Sequence, residues 1–330
     1  MTYDAFILAA GLGTRLRPLT LHRPKPLMPV CGIPMLSYAL ALCGKNGLRQ
    51  VLVNAHYLAE QLVDWKGEHE GVVVDVVVET PDILGTGGGL RAVRDRLASP
   101  FAVVNADVLT DVDLRALVRR VPARGATMAL RRDPESPTYG IVAADGSATV
   151  VDLVGLARAE AVGETQRDTH FTGIHALDRD VLDLVPDGFA CIVRSAYRQL
   201  VPQRLVHSHL HQGLWLDVGE PKAYLDANLR TLMGVPSLPL DPQARAAYAV
   251  DARGAHGKRP AGFLSESPVW VGHGAKVERV RAERAVIGAG AVIEPGTHLR
   301  DAVVWDGVTV PAGHYSRVIV HSGGVLQLPG

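Results

Sequence analysis

Three cysteines in 330 residues are too few, and too scattered, for a disulfide framework or a thiolate metal site. Cys31, Cys43 and Cys191 share no ligand spacing and read as reduced packing residues. No apolar run approaches the roughly twenty residues that a membrane span needs, so no membrane partner is expected. The chain opens directly on a strand-like pattern without a charged leader or a small-residue cleavage site, and the expected location is cytoplasmic. An excess of charge is missing too. Lys+Arg and Asp+Glu both number 34, which offers no general attraction for nucleic acid or an anionic surface. Two familiar phosphate-binding signatures are absent. No Gly-Lys-Ser/Thr tripeptide occurs, which removes the Walker loop, and the third glycine of a dinucleotide fingerprint does not follow Gly11 and Gly13. Finally, no lysine stands anywhere from residue 67 to residue 221.

What is present suffices for one large core and a smaller second unit, with 47% hydrophobic residues. Residues 3–10, 51–54 and 72–78 read as strands, and so does the apolar run from Phe101 that ends at Asp107. Helical patterns follow Pro34, with Leu36, Ala39, Leu40 and Cys43 on one face, and recur at 58–66 and 90–97. Valine-rich strands alternating with amphipathic helices indicate an α/β fold, a Rossmann-like mixed but mostly parallel sheet. Strand patterns at 126–131, 139–143 and 149–154 follow. Residues 234–265 are rich in Pro, Ala, Gly and Arg. Beyond them apolar residues recur every six positions, at Val271 and Val277, then at Ile287, Ile293, Leu299 and Trp305. That is the hexapeptide pattern of a short left-handed parallel β-helix. The expected division is therefore a domain over 1–235, a linker over 236–265 and the β-helix over 266–330.

The chain is organised around residues 6–34. An apolar strand ends at Gly11, Gly13-Thr14-Arg15 follows, and Lys25 stands between Pro24 and Pro26. Glycines let backbone amides approach an anion, Arg15 offers a planar fork for phosphate oxygens, and Lys25 offers a point charge held by its flanking prolines on a stiff, extended backbone. Such a cradle belongs at the C-terminal end of a first strand, where open α/β sheets bind ligands.

The whole string, Gly11-Leu12-Gly13-Thr14-Arg15-Leu16-Arg17-Pro18-Leu19-Thr20 and then Arg23-Pro24-Lys25-Pro26-Leu27, resembles the signature of the sugar-1-phosphate nucleotidyltransferases. A C-terminal hexapeptide β-helix is similar to that of their mannose-1-phosphate guanylyltransferase-like members. The resemblance implies in-line attack of a sugar-1-phosphate oxygen on the α-phosphorus of an NTP, with release of pyrophosphate. The nucleophile is already anionic, so catalysis is positioning and charge neutralisation. Lys25 would stabilise the phosphates, and Arg15 would bind the departing pyrophosphate. Leu8, Ala10, Gly11, Gly13 and Thr14 would line the nucleotide, while Glu79, Gly85, Thr86, Gly87 and Gly88 would border the base. Asp107 and Asp217 would hold Mg²⁺, a hard ion suited to carboxylate, phosphate and water oxygens. Asn105, Tyr139, Gly140, Thr172 and Gly173 would face the sugar.

Two departures bear on the substrate. Ala106 stands where the family usually has glycine before the aspartate. The lysine that grips the sugar phosphate in many hexose-specific relatives is replaced by Val154-Gly155-Leu156-Ala157-Arg158, leaving Arg158 or Arg167 as substitutes. Glu79 could accept the guanine N1–H and N2–H₂, which favours GTP with a mannose- or heptose-type 1-phosphate. Val53-Asn54-Ala55-His56 and the missing lysine keep open UTP with an N-acetylated sugar such as N-acetylmuramate 1-phosphate. A non-catalytic scaffold subunit of the same fold would be expected to have lost Arg15, Lys25, Asp107 or Asp217, and all four are present. His273, His298 and His314 lie on the repeat, but its few coils suit packing, homo-oligomerisation or regulation better than acyl transfer.

Overall fold

The computed structural model describes residues 2–133, 136–265 and 267–329. Its contacts divide the chain into two compact units, one of residues 1–12 and 39–215 and the other of residues 13–38 and 216–330. These boundaries differ from the division expected at 235 and 265. The helix Pro221–Leu232 packs against the C-terminal strands Arg281–Ile287, His298–Val304 and His314–His321, and so belongs with them.

The first unit is built on an eight-stranded mixed sheet. Tyr3–Leu8 lies at its centre, parallel to Gln50–Ala55 on one side and to Leu97–Asn105 on the other. Val72–Val78 continues the parallel set beyond Gln50–Ala55. On the far side Thr169–Leu177 runs antiparallel, between Leu97–Asn105 and Ala126–Arg132. The central strands are apolar on both faces, with Phe6, Ile7, Val51, Leu52, Val53, Phe101, Val103 and Val104 fully buried, as a sheet covered on both sides requires. A four-stranded antiparallel sheet contains Val142–Asp145 and Val150–Leu153. Between them Asp145 is buried. It accepts hydrogen bonds from Ser147, from the amides of Thr149 and Val162, and from Arg204.

Local readings changed in two places. The glycines at 87–89 do not precede a helix at 90–97. They lie inside one, Gly85–Ala92, and Leu97 already begins the next strand. Glycine costs up to about 1 kcal/mol per position inside a helix, but here neighbours occupy the space of a side chain. A Cβ on Gly88 would overlap the Gly188 carbonyl, one on Gly89 the Glu79 carboxylate, and one on Gly87 would stand 2.9 Å from the Ile192 nitrogen. Tyr139 likewise closes a short helical turn, Ser136–Tyr139, and the strand expected there starts at Val142. Among the described residues no helix is long and apolar enough to cross a membrane.

In the second unit the C-terminal strands are parallel and stacked in register. Val269 pairs with Ala285, Ala285 with Ala302, and Ala302 with Val318, steps of 16 or 17 residues. A second face stacks Val292–Ile293 on Thr309–Val310. Val271, Val277, Ile287, Ile293 and Leu299 fill the interior, as the six-residue period predicts. Trp305 departs from that frame. Val304 takes the interior place, and Trp305 turns to the helix, where its ring meets Tyr224 edge-on. The segment expected as a linker carries structure of its own. Tyr248–Asp251 and Gly254–Gly257 form a hairpin that joins the strand-rich sheet through Val269–Val271.

Candidate active site

Within the first unit several of the candidate residues stand at the strand tips of one sheet edge. Leu8 pairs with Asn105, and its carbonyl accepts the Ala106 amide at 3.1 Å, so Ala9–Gly11 and Asp107 leave the sheet at the same end. The Ala9 amide donates to Asn54 Oδ1 at 2.6 Å, Asn54 Nδ2 donates to Glu79 Oε1 at 2.7 Å, and Glu79 Oε2 accepts the Leu84 amide at 2.7 Å. Asn54 and Glu79 are both buried. The glutamate expected to border the base therefore also ties together the loops after three parallel strands. Asn54, which the sequence offered only as part of Val53-Asn54-Ala55-His56 and not as a site residue of its own, is the hub of that tie. Gly11 is exposed, and a Cβ there would meet nothing within 4 Å. Farther on, the amides of Gly87 and Gly88 donate to the Ala190 carbonyl at 2.8 and 3.2 Å, and Thr86 Oγ1 accepts the Ile192 amide. The helix start is thus bonded to the segment 188–192, with Gly85 and Thr86 at its more open end.

Of the residues expected at the sugar, Asn105 and Gly173 touch, while Thr172 and Tyr139 each meet Trp215. The Asn105 side chain fills the space that a Cβ on Gly173 would take, and Gly173 has φ +81°. Thr172 is buried, its hydroxyl on the Ala129 carbonyl and its own carbonyl accepting Trp215 Nε1 at 3.0 Å. Tyr139 stacks on His170 at 4.8 Å and meets Trp215 edge-on at 5.2 Å. Burial lowers the His170 pKa, so a neutral imidazole lies under the exposed tyrosine. Gly140 packs on Val154. Arg158 and Arg167 both face Asp152, at 3.1 and 3.6 Å.

Within the second unit the cradle is self-braced. Gly13 has φ +61°, a left-handed conformation open to glycine at little cost, and its carbonyl accepts the Thr20 hydroxyl at 2.8 Å. A Cβ there would press on the Thr20 methyl at 2.9 Å and stand 3.5 Å from Lys25 Cβ, so Thr20, Gly13 and Lys25 are in contact. Leu16 and Leu19 are buried while Thr14 and Arg15 are exposed, so the turn Thr14–Leu16 presents its polar face outward. Lys25 is not on an extended segment. It opens the 3₁₀ turn Lys25–Leu27, with Pro24 extended before it and Pro26 at the turn's second position. Arg15 and Asp217 flank Gly219: a Cβ on that glycine would lie 3.2 Å from Arg15 Nη2 and 3.2 Å from Asp217 Oδ2. Among the described residues no group of three or more His, Cys, Asp or Glu could hold a metal ion. An ion bound here would take most of its oxygens from phosphate and water, which suits Mg²⁺.

The model of the nucleotidyl transferase family matches residues 4–233, more than half of the chain. This chain belongs to that family. Membership sets the reaction class, transfer of a nucleotidyl group to a sugar-1-phosphate. The mannose-1-phosphate guanylyltransferase of Mycobacterium tuberculosis is 30% identical over 321 residues, covering 94% of this chain and 82% of that protein. The mannose-1-phosphate guanyltransferase of Saccharomyces cerevisiae is 31% identical over 232 residues, covering 68% of this chain and 63% of that protein. The chain thus spans less than two thirds of the yeast relative's length. Among solved structures, HddC from Yersinia pseudotuberculosis matches with a TM-score of 0.56 at 22% identity, over 69% of this chain and 99% of that one, a likeness of fold alone.

Proposed function

We propose that this nucleotidyltransferase transfers the guanylyl group of GTP to mannose 1-phosphate, giving GDP-mannose and pyrophosphate. The observation that carries this reading is the similarity to the Mycobacterium tuberculosis guanylyltransferase, which runs through 94% of the chain and so includes the C-terminal strands. In this reading Lys25 neutralises charge on the phosphates in the transition state, and Arg15 with the amides of residues 11–14 receives the pyrophosphate. Asp107 and Asp217 hold Mg²⁺, whose contribution when bound is to draw charge from the phosphoryl oxygens. Leu8, Ala10 and the Gly85–Gly88 turn border the nucleotide, with Glu79 at the base. Asn105, Tyr139, Gly140, Thr172 and Gly173 face the sugar. The three cysteines are free thiols, in keeping with a reducing cytoplasm. A pyrophosphate-release screen of four NTPs against a panel of sugar-1-phosphates tests the proposal. GTP with mannose 1-phosphate should turn over fastest. A preference for UTP with an N-acetylated sugar-1-phosphate, or for a heptose 1-phosphate, would replace the substrate assignment.

A further inference from the structure

The segment that carries Lys25 is fastened, inside the second unit, to residues that no phosphate would touch. Just beyond Lys25–Leu27 the chain forms a tight hairpin, Pro29–Val30 against Ile33–Pro34. Two buried side chains of the helix Pro221–Leu232 grip it. Tyr224 donates its hydroxyl proton to the Pro29 carbonyl at 2.5 Å, and Asn228 Oδ1 accepts the Cys31 amide at 2.9 Å. Asn228 is held in turn, since its Nδ2 donates to the Tyr224 carbonyl at 3.0 Å. Both side chains are fully buried. The tyrosine oxygen also receives a bond from the stacked C-terminal strands, Trp305 Nε1–H at 3.0 Å. A face of that indole lies under Arg23, whose guanidinium carbon stands 4.7 Å from the ring centroid. Arg23 is two residues before Lys25, and Pro29 is four residues after it. The lysine's turn is therefore held from both ends by one tryptophan, directly through Arg23 and by way of Tyr224 through Pro29.

We propose that Trp305 and Tyr224 are positioning residues for Lys25. The C-terminal strands would then set the placement of the catalytic lysine through the relay Trp305 Nε1–H to Tyr224 Oη–H to the Pro29 carbonyl. The inference rests on the role given to Lys25 above. Its physical basis is that a buried hydroxyl with both a donor and an acceptor satisfied has one orientation. A lysine neutralising charge in a transition state loses effect when its backbone drifts by a fraction of an ångström. The departure of Trp305 from the six-residue frame then has a use. Valine already fills the interior at 304, which leaves the indole free to face the helix and Arg23.

The experiment is a double-mutant cycle on the full chain, read by steady-state pyrophosphate release and by thermal melting. Tyr224→Phe keeps the ring and deletes both bonds; Trp305→Phe keeps an aromatic face for Arg23 but removes the N–H together with part of the indole's bulk, and it serves if the first variant does not fold. Each is expected to lower kcat about tenfold with KM for GTP within about twofold. In a Lys25→Ala background the same change should have almost no further effect, because the group being positioned is gone. An unchanged kcat in the single variants, or the same fold-loss in both backgrounds, overturns the proposal. Full activity in Lys25→Ala alone, or no transfer by the wild-type chain, instead overturns the reading on which it rests.

Discussion

Parallel strands form the heart of both units, yet they leave different things at their ends. In the eight-stranded sheet each parallel strand ends differently: the Ala9 amide, the Asn54 side chain and the Glu79 carboxylate bond to one another at the ends of three of them, and Asp107 leaves the sheet at the same end as Ala9. In the C-terminal stack each turn repeats the one below it. A Cβ on Gly272 would stand 2.5 Å from the Ala289 nitrogen, and one on Gly288 would stand 2.5 Å from the Asp306 nitrogen, so those glycines let backbone lie on backbone. Regular stacking stabilises a body but gives each coil nearly the same surface. Strand tips that differ from one another can gather unlike groups at one edge. This is why the proposed chemistry is assigned to unlike groups at strand ends and turns and not to the repeated coils.

That contrast can be broken at either end. The largest effect is expected at the cradle: Lys25→Ala should lower kcat by about two to three orders of magnitude with the melting temperature nearly unchanged, since a charge aimed at a transition state is worth roughly 3–4 kcal/mol. Next comes Gly88→Ala, whose methyl must displace the Gly188 carbonyl. It should cost about 2 kcal/mol or more by denaturant titration and raise KM for the nucleotide as well, because the turn before it bends. The matching change in the coils, Gly288→Ala, should cost a similar stability but leave that KM alone; a raised KM there would erase the distinction. Asn54→Ala should follow at about 1–3 kcal/mol, with the Ala9 amide and a Glu79 oxygen left buried and unpaired.

The remaining effect is a pH dependence, smallest near neutral pH and growing as the solution is acidified. Burial pushes the His175 pKa down to about 3, while an unfolded histidine titrates near roughly 6.5. Between those values the unfolded chain binds a proton that the folded chain refuses. Stability should thus fall as pH drops from about 6.5 toward about 3, and His175→Phe should flatten that part of the urea-midpoint profile.

Much of the fold could be read from the sequence because its signals were strong and local. The buried strand before Gly11, the valine runs and the helix opened by Pro221 each behave as their residues dictate. The errors arose where a distant partner decided the outcome. The helix expected only from residue 90 takes in the glycines at 87–89, because Gly188, Ile192 and Glu79 press against them and nothing nearby in the chain reveals it. Trp305 fitted the six-residue period, and only the presence of Tyr224 turns it away from the interior. Glu79 could be placed near the base by resemblance, but its bonds to Asn54 and Leu84 join residues 25 and 5 positions away and follow no pattern in the chain. The signature from Gly11 to Leu27 was legible as chemistry, whereas the bonds by which the Pro29–Pro34 hairpin and the helix at 221–232 hold it were not.

The most direct test runs the reaction backward. With Mg²⁺ and pyrophosphate, the protein should convert GDP-mannose to GTP and mannose 1-phosphate, and Lys25→Ala should do so slower by about two orders of magnitude or more. GDP-mannose left intact while a UDP-sugar is consumed, or a Lys25→Ala variant as fast as the wild type, would contradict the account.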